Sequence, residues 1–213
     1  MSTPEDLRRH APATQRNRAP ILDVLRTYFQ TTRRVLEIAS GTGEHAVYFG
    51  SHLPHLDWQT SDLDPTARAS IQAWLQDADI PNVHPPLALD VCKLPWPVRD
   101  LDAIVCINMI HIAPWAACEA LFQGASQSLS PDGWLYLYGP FKRHGEHTAP
   151  SNEAFDQSLQ QRDSAWGVRD LDQQIAPLAQ QSGFCDPIVV SMPANNLSVL
   201  WRKNNPPEHF SSP

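Results

Sequence analysis

The feature that most constrains the fold is a short apolar segment that runs directly into a glycine-containing turn. Arg34 to Ala39 (RVLEIA) predicts a strand, and the turn SGTGEH after it opens a helix at about Ala46. The two glycines of the turn, Gly41 and Gly43, let the backbone bend tightly and let a ligand approach it closely. The order strand, turn, helix predicts a βα unit, but G-x-G-x-x-A alone is weak evidence for one ligand and is also compatible with a merely structural turn.

The same alternation continues along the chain. Further strands are predicted at 56–61, 83–89, 101–108 and 134–138 with helices between them, and the segments 188–192 and 197–202 predict a hairpin. Two prolines place the third strand at or near a sheet edge, whereas the apolar run LDAIVCIN is typical of a central strand. The pattern predicts an α/β domain with a mostly parallel sheet and an antiparallel end, whose ligands bind beyond the carboxyl ends of the strands.

The chain of 213 residues suits one domain. We expect a flexible N-terminal arm over residues 1–15, a single domain over 16–203 and a frayed tail over 204–213. The first helix is predicted to open at Pro20, a residue that favours the first turn of a helix. The segment 141–168 is polar and irregular, apart from a possible short helix near 152–161, and we expect it to act as a substrate lid.

Composition excludes several classes of protein. The formal net charge of −7 argues against a protein that binds the phosphate backbone of nucleic acids. No apolar run reaches the roughly 18 residues that a membrane helix needs, and the Arg-rich start does not resemble a secretory signal. The 4 cysteines lack metal-ligand spacing, so no metal site is expected. We expect a cytoplasmic protein without membrane association, and the sequence leaves its oligomeric state open.

Acidic residues mark the predicted carboxyl ends of the strands. Asp62 follows Gly43 by 19 residues and can accept both ribose hydroxyls of an adenosine. Asp90 could meet an adenine amino group, or it could simply form a turn. Glu37 lies inside the first strand, where a charge is costly unless it is paired, so it faces either a cationic ligand or a neighbouring arginine. These acids suit a ligand with a sulfonium and an ammonium better than the phosphates of NAD(P).

Several segments carry a resemblance to known families. VLEIASGTGEHA, SDLDP, LDV, INMIHIAPW and SPDGWLYLYGP resemble the class I S-adenosylmethionine-dependent methyltransferases. NRAPIL, INMIHIAPW, SNEAFDQSL and WGVRDLD look like the methyltransferase-like protein 26 family, a domain of unknown function. The resemblance extends from about Arg16 to Lys203. It implies a Rossmann-like, seven-stranded sheet in the order 3-2-1-4-5-7-6, with S-adenosyl-L-methionine as cofactor and S-adenosyl-L-homocysteine as product.

The resemblance also assigns a cofactor site. It implies that the turn glycines border the methionine moiety, that Asp62 contacts the ribose, and that Asp90 and Val91 contact the adenine. Ala39 departs from the pattern E-x-G-x-G-x-G, because it stands where many members have the first glycine. The predicted cofactor-binding residues are Glu37, Ala39, Gly41, Gly43, Asp62, Leu63, Asp90, Val91 and Asn108.

Three residues are candidates for a catalytic role. His111 is the first candidate for a general base, although it could equally bond to a loop backbone. Tyr138 could line or orient the acceptor or, with Tyr136, belong to the core. Asn108 is predicted between cofactor and substrate. The predicted substrate-binding residues are Arg16, Asn17, Asn152, Trp166 and Arg169.

Arg16 has two functional interpretations and one structural one. It could hold a carboxylate of the cofactor or of an acidic substrate, or it could be an exposed charge at a helix start. The sequence as a whole predicts in-line methyl transfer to a small-molecule nucleophile. The alternatives are a protein or RNA acceptor, a non-catalytic S-adenosylmethionine-binding module, and an NAD(P)-binding dehydrogenase, which would leave Glu37 unexplained.

Overall fold

The computed structural model describes residues 6–204. The strands are β1 (Arg34–Ile38), β2 (Asp57–Asp62), β3 (Val83–Ala88), β4 (Leu101–Ile107), β5 (Leu129–Gly139), β6 (Lys142–Arg143), β7 (Glu146–His147), β8 (Ile188–Met192) and β9 (Asn196–Arg202). The α-helices are α1 (Pro12–Tyr28), α2 (Glu44–His52), α3 (Pro65–Ala78), α4 (Trp115–Ser128), α5 (Pro150–Arg162) and α6 (Ala176–Gln181).

Seven strands form the main sheet, in the order β3-β2-β1-β4-β5-β9-β8. The first five strands pair in parallel, and β9 pairs antiparallel with both β5 and β8. Counted without the separate two-stranded β6–β7 ribbon, this is the predicted order 3-2-1-4-5-7-6, so the predicted fold class is confirmed. The proline-containing β3 is an edge strand and β4 is central, as predicted.

Helices cover both faces of the sheet because its central strands are apolar on both sides. In β1, Leu36 and Ile38 pack into a core with α4, whereas Val35 packs into a second core with α1 and α2. Strand β4, which lies beside β1 in the sheet, divides in the same way, with Ile104 on the first face and Val105 on the second. Successive strand side chains point to opposite faces, so a strand that is apolar throughout needs cover on both.

The N-terminal segment differs from the predicted flexible arm. Helix α1 begins at Pro12, and Pro20 lies inside it. Residues 6–11 lie against α3, where the Arg9 amide donates to Ser70 Oγ at 2.8 Å and Trp74 Nε1 donates to the Arg9 carbonyl at 3.0 Å. The prediction of a loose arm is therefore wrong for residues 6–15. It failed because the first buried positions of α1 include the polar Thr14 and Asn17, which give no apolar periodicity.

The segment 141–168 is more regular than predicted. It contains the β6–β7 ribbon and α5, and the helix predicted near 152–161 is confirmed. The helix predicted from about 170 to 183 is divided into a π-helical turn over Leu171–Ile175 followed by α6. Residues 1–5 and the predicted tail beyond Asn204 lie outside the described residues. Among residues 6–204, no helix is long and apolar enough to span a membrane.

Gly124 provides a test of the packing between α4 and the loop before β4. A Cβ atom at this position would lie 2.3 Å from Cζ2 of Trp96, a buried residue whose Nε1 donates to the Val91 carbonyl. We expect Gly124→Ala to lower the free energy of unfolding by about 1–3 kcal/mol through overpacking, despite the better helix propensity of alanine. Urea denaturation measures this change.

Gln123→Ala on the exposed side of the same helix is the matched control and should alter stability by less than about 0.5 kcal/mol. Adding Trp96→Phe to the Gly124→Ala variant should recover part of the loss, because the smaller ring makes room for the methyl group. Equal stability of Gly124→Ala and the wild type would contradict this description of the packing.

Candidate functional site

The two glycines of the turn after β1 have different roles. Gly43 has φ +92°, and a Cβ there would lie 2.9 Å from the Ile71 Cα, so this glycine lets α2 pack closely on α3. Gly41 has φ +61°, and the atom nearest to a Cβ placed there would be the Ala39 carbonyl oxygen, at 4.0 Å. Gly41 therefore borders open space, as a turn that admits a ligand to its backbone requires.

Asp62, at the end of β2, fixes the conformation of this turn. Its Oδ2 accepts a hydrogen bond from the Gly41 amide at 2.9 Å, and its Oδ1 accepts one from the Asp64 amide at 2.9 Å. One carboxylate thus joins the turns that follow two adjacent strands. A carboxylate has about four lone-pair sites, so both oxygens can still accept further hydrogen bonds from a ligand.

A cavity of about 230 Å³, here called the nucleoside cavity, opens beyond the ends of β1, β2 and β3. Five of the predicted cofactor-binding residues line it: Ala39, Asp62, Leu63, Asp90 and Val91. The Leu63 side chain at this cavity is 62% exposed, which leaves apolar surface in water for a ligand to cover. The rest of the lining is formed by Ile38, Leu89, Cys92, Met109, Ala113, Pro114 and Ala117.

A second cavity of about 520 Å³, here called the acceptor cavity, lies beyond the ends of β4 and β5. Five residues predicted as catalytic or substrate-binding line it: Arg16, Asn17, Asn108, Tyr138 and Asn152. The lining that the sequence did not identify comprises Ala13, Ile112, Pro140, Phe155, Pro193, Ala194 and Asn196. Their only sequence signal is position, because they follow strand ends or lie in α1, α5 and the hairpin connection.

The segment 108–113 separates the two cavities. Asn108 and Ile112 face the acceptor cavity, whereas Met109 and Ala113 face the nucleoside cavity. Asn108 has φ +62°, a conformation that asparagine tolerates better than most residues, and its amide donates to the Tyr138 carbonyl at 2.8 Å. A ligand in either cavity therefore contacts the same short segment.

Glu37 is buried, and its carboxylate contacts a tryptophan instead of the arginine that one interpretation of the sequence expected. Trp58 Nε1 donates to its Oε2 at 3.1 Å, and within residues 6–204 it has no ion pair, so the expected salt bridge to an arginine is wrong. Burial raises the pKa of this carboxyl to about 7. Glu37 lines neither cavity, and its cofactor role stays a prediction.

His111 is placed where it cannot contact an acceptor directly. It is fully buried, lines neither cavity, and its Nε2 has no hydrogen-bond partner within the described part of the chain. A Cβ on Gly139 would lie 2.5 Å from that nitrogen, so the backbone of β5 shields it. Burial lowers the pKa of the ring to about 3, and its Nδ1 accepts from the Arg169 amide at 3.4 Å. The geometry favours the alternative of a histidine bonded to a loop backbone.

Arg169 and Trp166, both predicted to bind substrate, also lie away from the acceptor cavity. The Arg169 guanidinium donates to the carbonyls of Ile110 at 3.0 Å and Ala113 at 2.6 Å. Trp166 stacks with the guanidinium of Arg162, whose Cζ lies 5.0 Å from the ring centroid. Arg169 therefore holds the segment between the cavities in place, which is a structural role.

A buried polar contact supports the floor of the acceptor cavity, and the sequence analysis missed its central residue. His45 Nε2 lies 2.8 Å from Asn17 Oδ1. Burial lowers the pKa of His45 to about 3, so the ring is neutral and donates its Nε2 proton to the amide oxygen. Asn17 and Asn196 lie beside the Tyr138 hydroxyl, and burial raises the pKa of that phenol. The turn sequence SGTGEH contained His45, but its burial was not visible there.

Within the described residues, metal-ligating side chains do not form a cluster. Among residues 6–204, no group of three or more His, Cys, Asp or Glu side chains is placed to hold a metal ion. The four cysteines are free, with Cys106 and Cys118 buried.

The neutral state of His45 predicts a pH dependence of stability. The unfolded histidine binds a proton below about pH 6.5, whereas the folded one binds it only below about 3, so stability falls as the pH is lowered between these values. One such group contributes a slope of about 1.4 kcal/mol per pH unit. His45→Gln keeps a donor for Asn17, and we expect it to flatten the measured slope by about one proton.

Chemical denaturation at several pH values gives this slope. His52→Gln, at the exposed end of α2, is the control for replacing a histidine in the same helix. If the His45→Gln curve parallels that of the wild type, the histidine is not neutral and buried as described.

The fold is shared with solved methyltransferase structures. An O-methyltransferase family protein from Burkholderia thailandensis has a TM-score of 0.78 at 17% identity, over 91% of this chain and 58% of that one. The apo form of the S-adenosylmethionine-dependent methyltransferase SibL gives 0.75 at 17% identity, over 91% and 56%. Human N-acetylserotonin methyltransferase, in complex with SAM, gives 0.74 at 16% identity, over 91% and 53%.

This chain spans little more than half the length of those three proteins, and at such identities the likeness shows the fold alone. Residues 8–203 match the model of a family described as "Protein of unknown function (DUF938)". The match begins shortly before α1, ends just after β9 and so includes all the residues that line the two cavities. The chain therefore belongs to the DUF938 family and has the class I methyltransferase fold.

Proposed function

We propose that the protein is an S-adenosyl-L-methionine-dependent methyltransferase that acts on a small molecule and releases S-adenosyl-L-homocysteine. The observation that carries the proposal is the arrangement at the end of β1, where Gly41 borders open space beside a cavity with two carboxylates on its wall. Those carboxylates are Asp62, which would accept from the ribose hydroxyls of the cofactor, and Asp90, which would accept from its adenine amino group. Five of the nine predicted cofactor-binding residues share this cavity.

Different residues of the site fit different parts of the cofactor. The nucleoside cavity, at about 230 Å³, is below the roughly 300–1,000 Å³ of pockets for whole drug-sized ligands, so it suits the nucleoside. Asp62 would hold the ribose, Asp90 and the Val91 backbone the adenine, and Leu63 would cover it. Gly41 and Asn108 would border the methionine end, and Asn108 also lines the acceptor cavity. Ala39, although φ is +55°, adds only one methyl group to this wall.

The acceptor cavity can position a nucleophile without a charged base. When bound, the cofactor supplies a methyl group on a positively charged sulfur, and the acceptor's proton is released to solvent. Tyr138 is a protonated phenol at neutral pH, as any tyrosine with a pKa at or above its ordinary value is, and it orients an acceptor by hydrogen bonding. Asn108 and Asn17 provide further polar contacts. In-line transfer then depends mainly on position and on exclusion of water.

A small acceptor suits the size and charge of this site. The acceptor cavity is about 520 Å³, within the range of small-molecule pockets, and the net charge of −7 disfavours a nucleic acid. A cytoplasmic location and the narrower likeness to methyltransferase-like protein 26 stay predictions of the sequence. A non-catalytic cofactor-binding module is the second candidate, since no carboxylate or histidine lines the described acceptor cavity.

Binding of the cofactor is the first test. S-adenosylhomocysteine at about 100 times its dissociation constant should stabilise the protein by about 2.7 kcal/mol, or roughly 5–11 °C for a domain of this size. NAD should give no shift. Asp62→Ala should weaken binding at least about tenfold, because it removes the ribose acceptor and the Gly41 anchor. Asp57→Asn, at the opposite end of β2, is the matched control.

Turnover distinguishes an enzyme from a binding module. In a screen of small acceptors followed by mass spectrometry, the wild type should form a methylated product and S-adenosylhomocysteine. Tyr138→Phe should lower the rate at least about tenfold while cofactor affinity changes little, because Tyr138 lines the acceptor cavity and not the nucleoside cavity. Binding of the cofactor without methylation of any acceptor class would favour the binding module instead.

A further inference from the structure

The charge of the acceptor cavity is one-sided. Arg16 is its only charged lining residue within the described part of the chain, and no Asp or Glu lines it. The Arg16 side chain is exposed and has no ion pair with another residue of the structure, unlike Arg26 on the same helix, which pairs with Asp23 at 3.5 Å. A guanidinium without a partner at a cavity is a donor for a carboxylate, which it can bind through two parallel hydrogen bonds.

Another part of the acceptor-cavity lining is apolar. Ile112 after β4 and Phe155 on α5 are 44% and 42% exposed, although both are large apolar side chains. Pro140 and Pro193 extend the same surface. Exposed apolar surface at a cavity becomes favourable when a ligand covers it, and an aromatic or aliphatic body is the ligand part that does so.

Neutral amides complete the lining. Asn17, Asn108, Asn152 and Asn196 offer donors and acceptors without charge. The Asn152 amide nitrogen is already used, because it donates to Thr148 Oγ1 at 2.9 Å and to the Asn195 carbonyl at 2.9 Å, which joins α5 to the hairpin connection. Asn17 is held by His45. The two amides beside the Tyr138 hydroxyl, Asn17 and Asn196, both line the cavity, and the Asn196 amide nitrogen donates to the Pro193 carbonyl at 3.2 Å.

We infer that the acceptor is a small carboxylate with an apolar, preferably aromatic, body and an uncharged hydroxyl or amine as the nucleophile. Arg16 binds its carboxylate, Ile112 and Phe155 cover its body, and the amides with Tyr138 orient the nucleophile. The inference rests on the proposed function, because a positively charged sulfonium next to this cavity would repel a cationic acceptor and attract an anionic one.

The competing role for Arg16 is to bind the carboxylate of the cofactor. Arg16 lines the acceptor cavity and not the nucleoside cavity, which favours the acceptor. The two roles are separable by experiment, because methylthioadenosine contains the nucleoside and the sulfur of S-adenosylhomocysteine but lacks its amino-acid carboxylate.

The test uses the full chain saturated with S-adenosylhomocysteine and three probes of one shape: phenylacetate, phenylacetamide and phenethylamine. Isothermal titration should show phenylacetate binding about tenfold more tightly than the amide, with the amine weakest. Arg16→Gln should abolish the preference for the carboxylate. Arg26→Gln on the same helix should retain it, and Phe155→Ala should weaken phenylacetate and phenylacetamide alike.

Several outcomes would overturn the inference. One is that the wild type binds phenylacetate and phenylacetamide equally well. Another is that phenylacetate does not bind at millimolar concentration. A third is that Arg16→Gln keeps the preference for the carboxylate. If Arg16→Gln weakens S-adenosylhomocysteine but leaves methylthioadenosine unaffected, Arg16 serves the cofactor and the acceptor assignment is wrong. If the wild type binds neither adenosine compound, the proposed function fails first, and this result is distinct from the others.

Discussion

The carboxylate of Asp62 is the contact on which the geometry of the site depends. By accepting from the amides of Gly41 and Asp64, it fixes the turns after β1 and β2 relative to each other. These two turns form one side of the nucleoside cavity, and Gly43 can pack against Ile71 only when the first turn is in place. An arrangement made by backbone amides and one side chain needs no ligand to preform it, which lowers the entropic cost of binding.

The other side of the site depends on Arg169, whose role the sequence did not indicate. Its guanidinium binds the carbonyls of Ile110 and Ala113 and thereby holds the segment that both cavities share. His111 lies within this segment and is buried as a neutral ring. The rim of the acceptor cavity is therefore supported by a cation and a histidine that do not line it, and four asparagines supply most of its polar groups.

The fold could be predicted because it follows from local patterns. Strands β1 and β4 are short apolar runs, and the chain enters a helical turn soon after β1, β2 and β4, next to Gly41, Asp62 and Asn108. The start of α1 could not be predicted, since its buried Thr14 and Asn17 look like surface residues. The burial of Glu37 and His111 could not be predicted either, because a position in or after a strand does not show which way a side chain points. Nor could the exposure of Ile112 and Phe155 be predicted, because position along the chain does not show which large apolar side chains stay uncovered.

The segment 108–113 has a thermodynamic consequence. It is one wall with two faces, so a shift that a ligand causes at one face changes the shape of the other face, and the two affinities become coupled. Linkage then requires the effect to be reciprocal: whatever factor the first ligand adds to the affinity of the second, the second adds to that of the first. In the proposed enzyme, the affinities for the cofactor and for the acceptor are therefore coupled through this one segment.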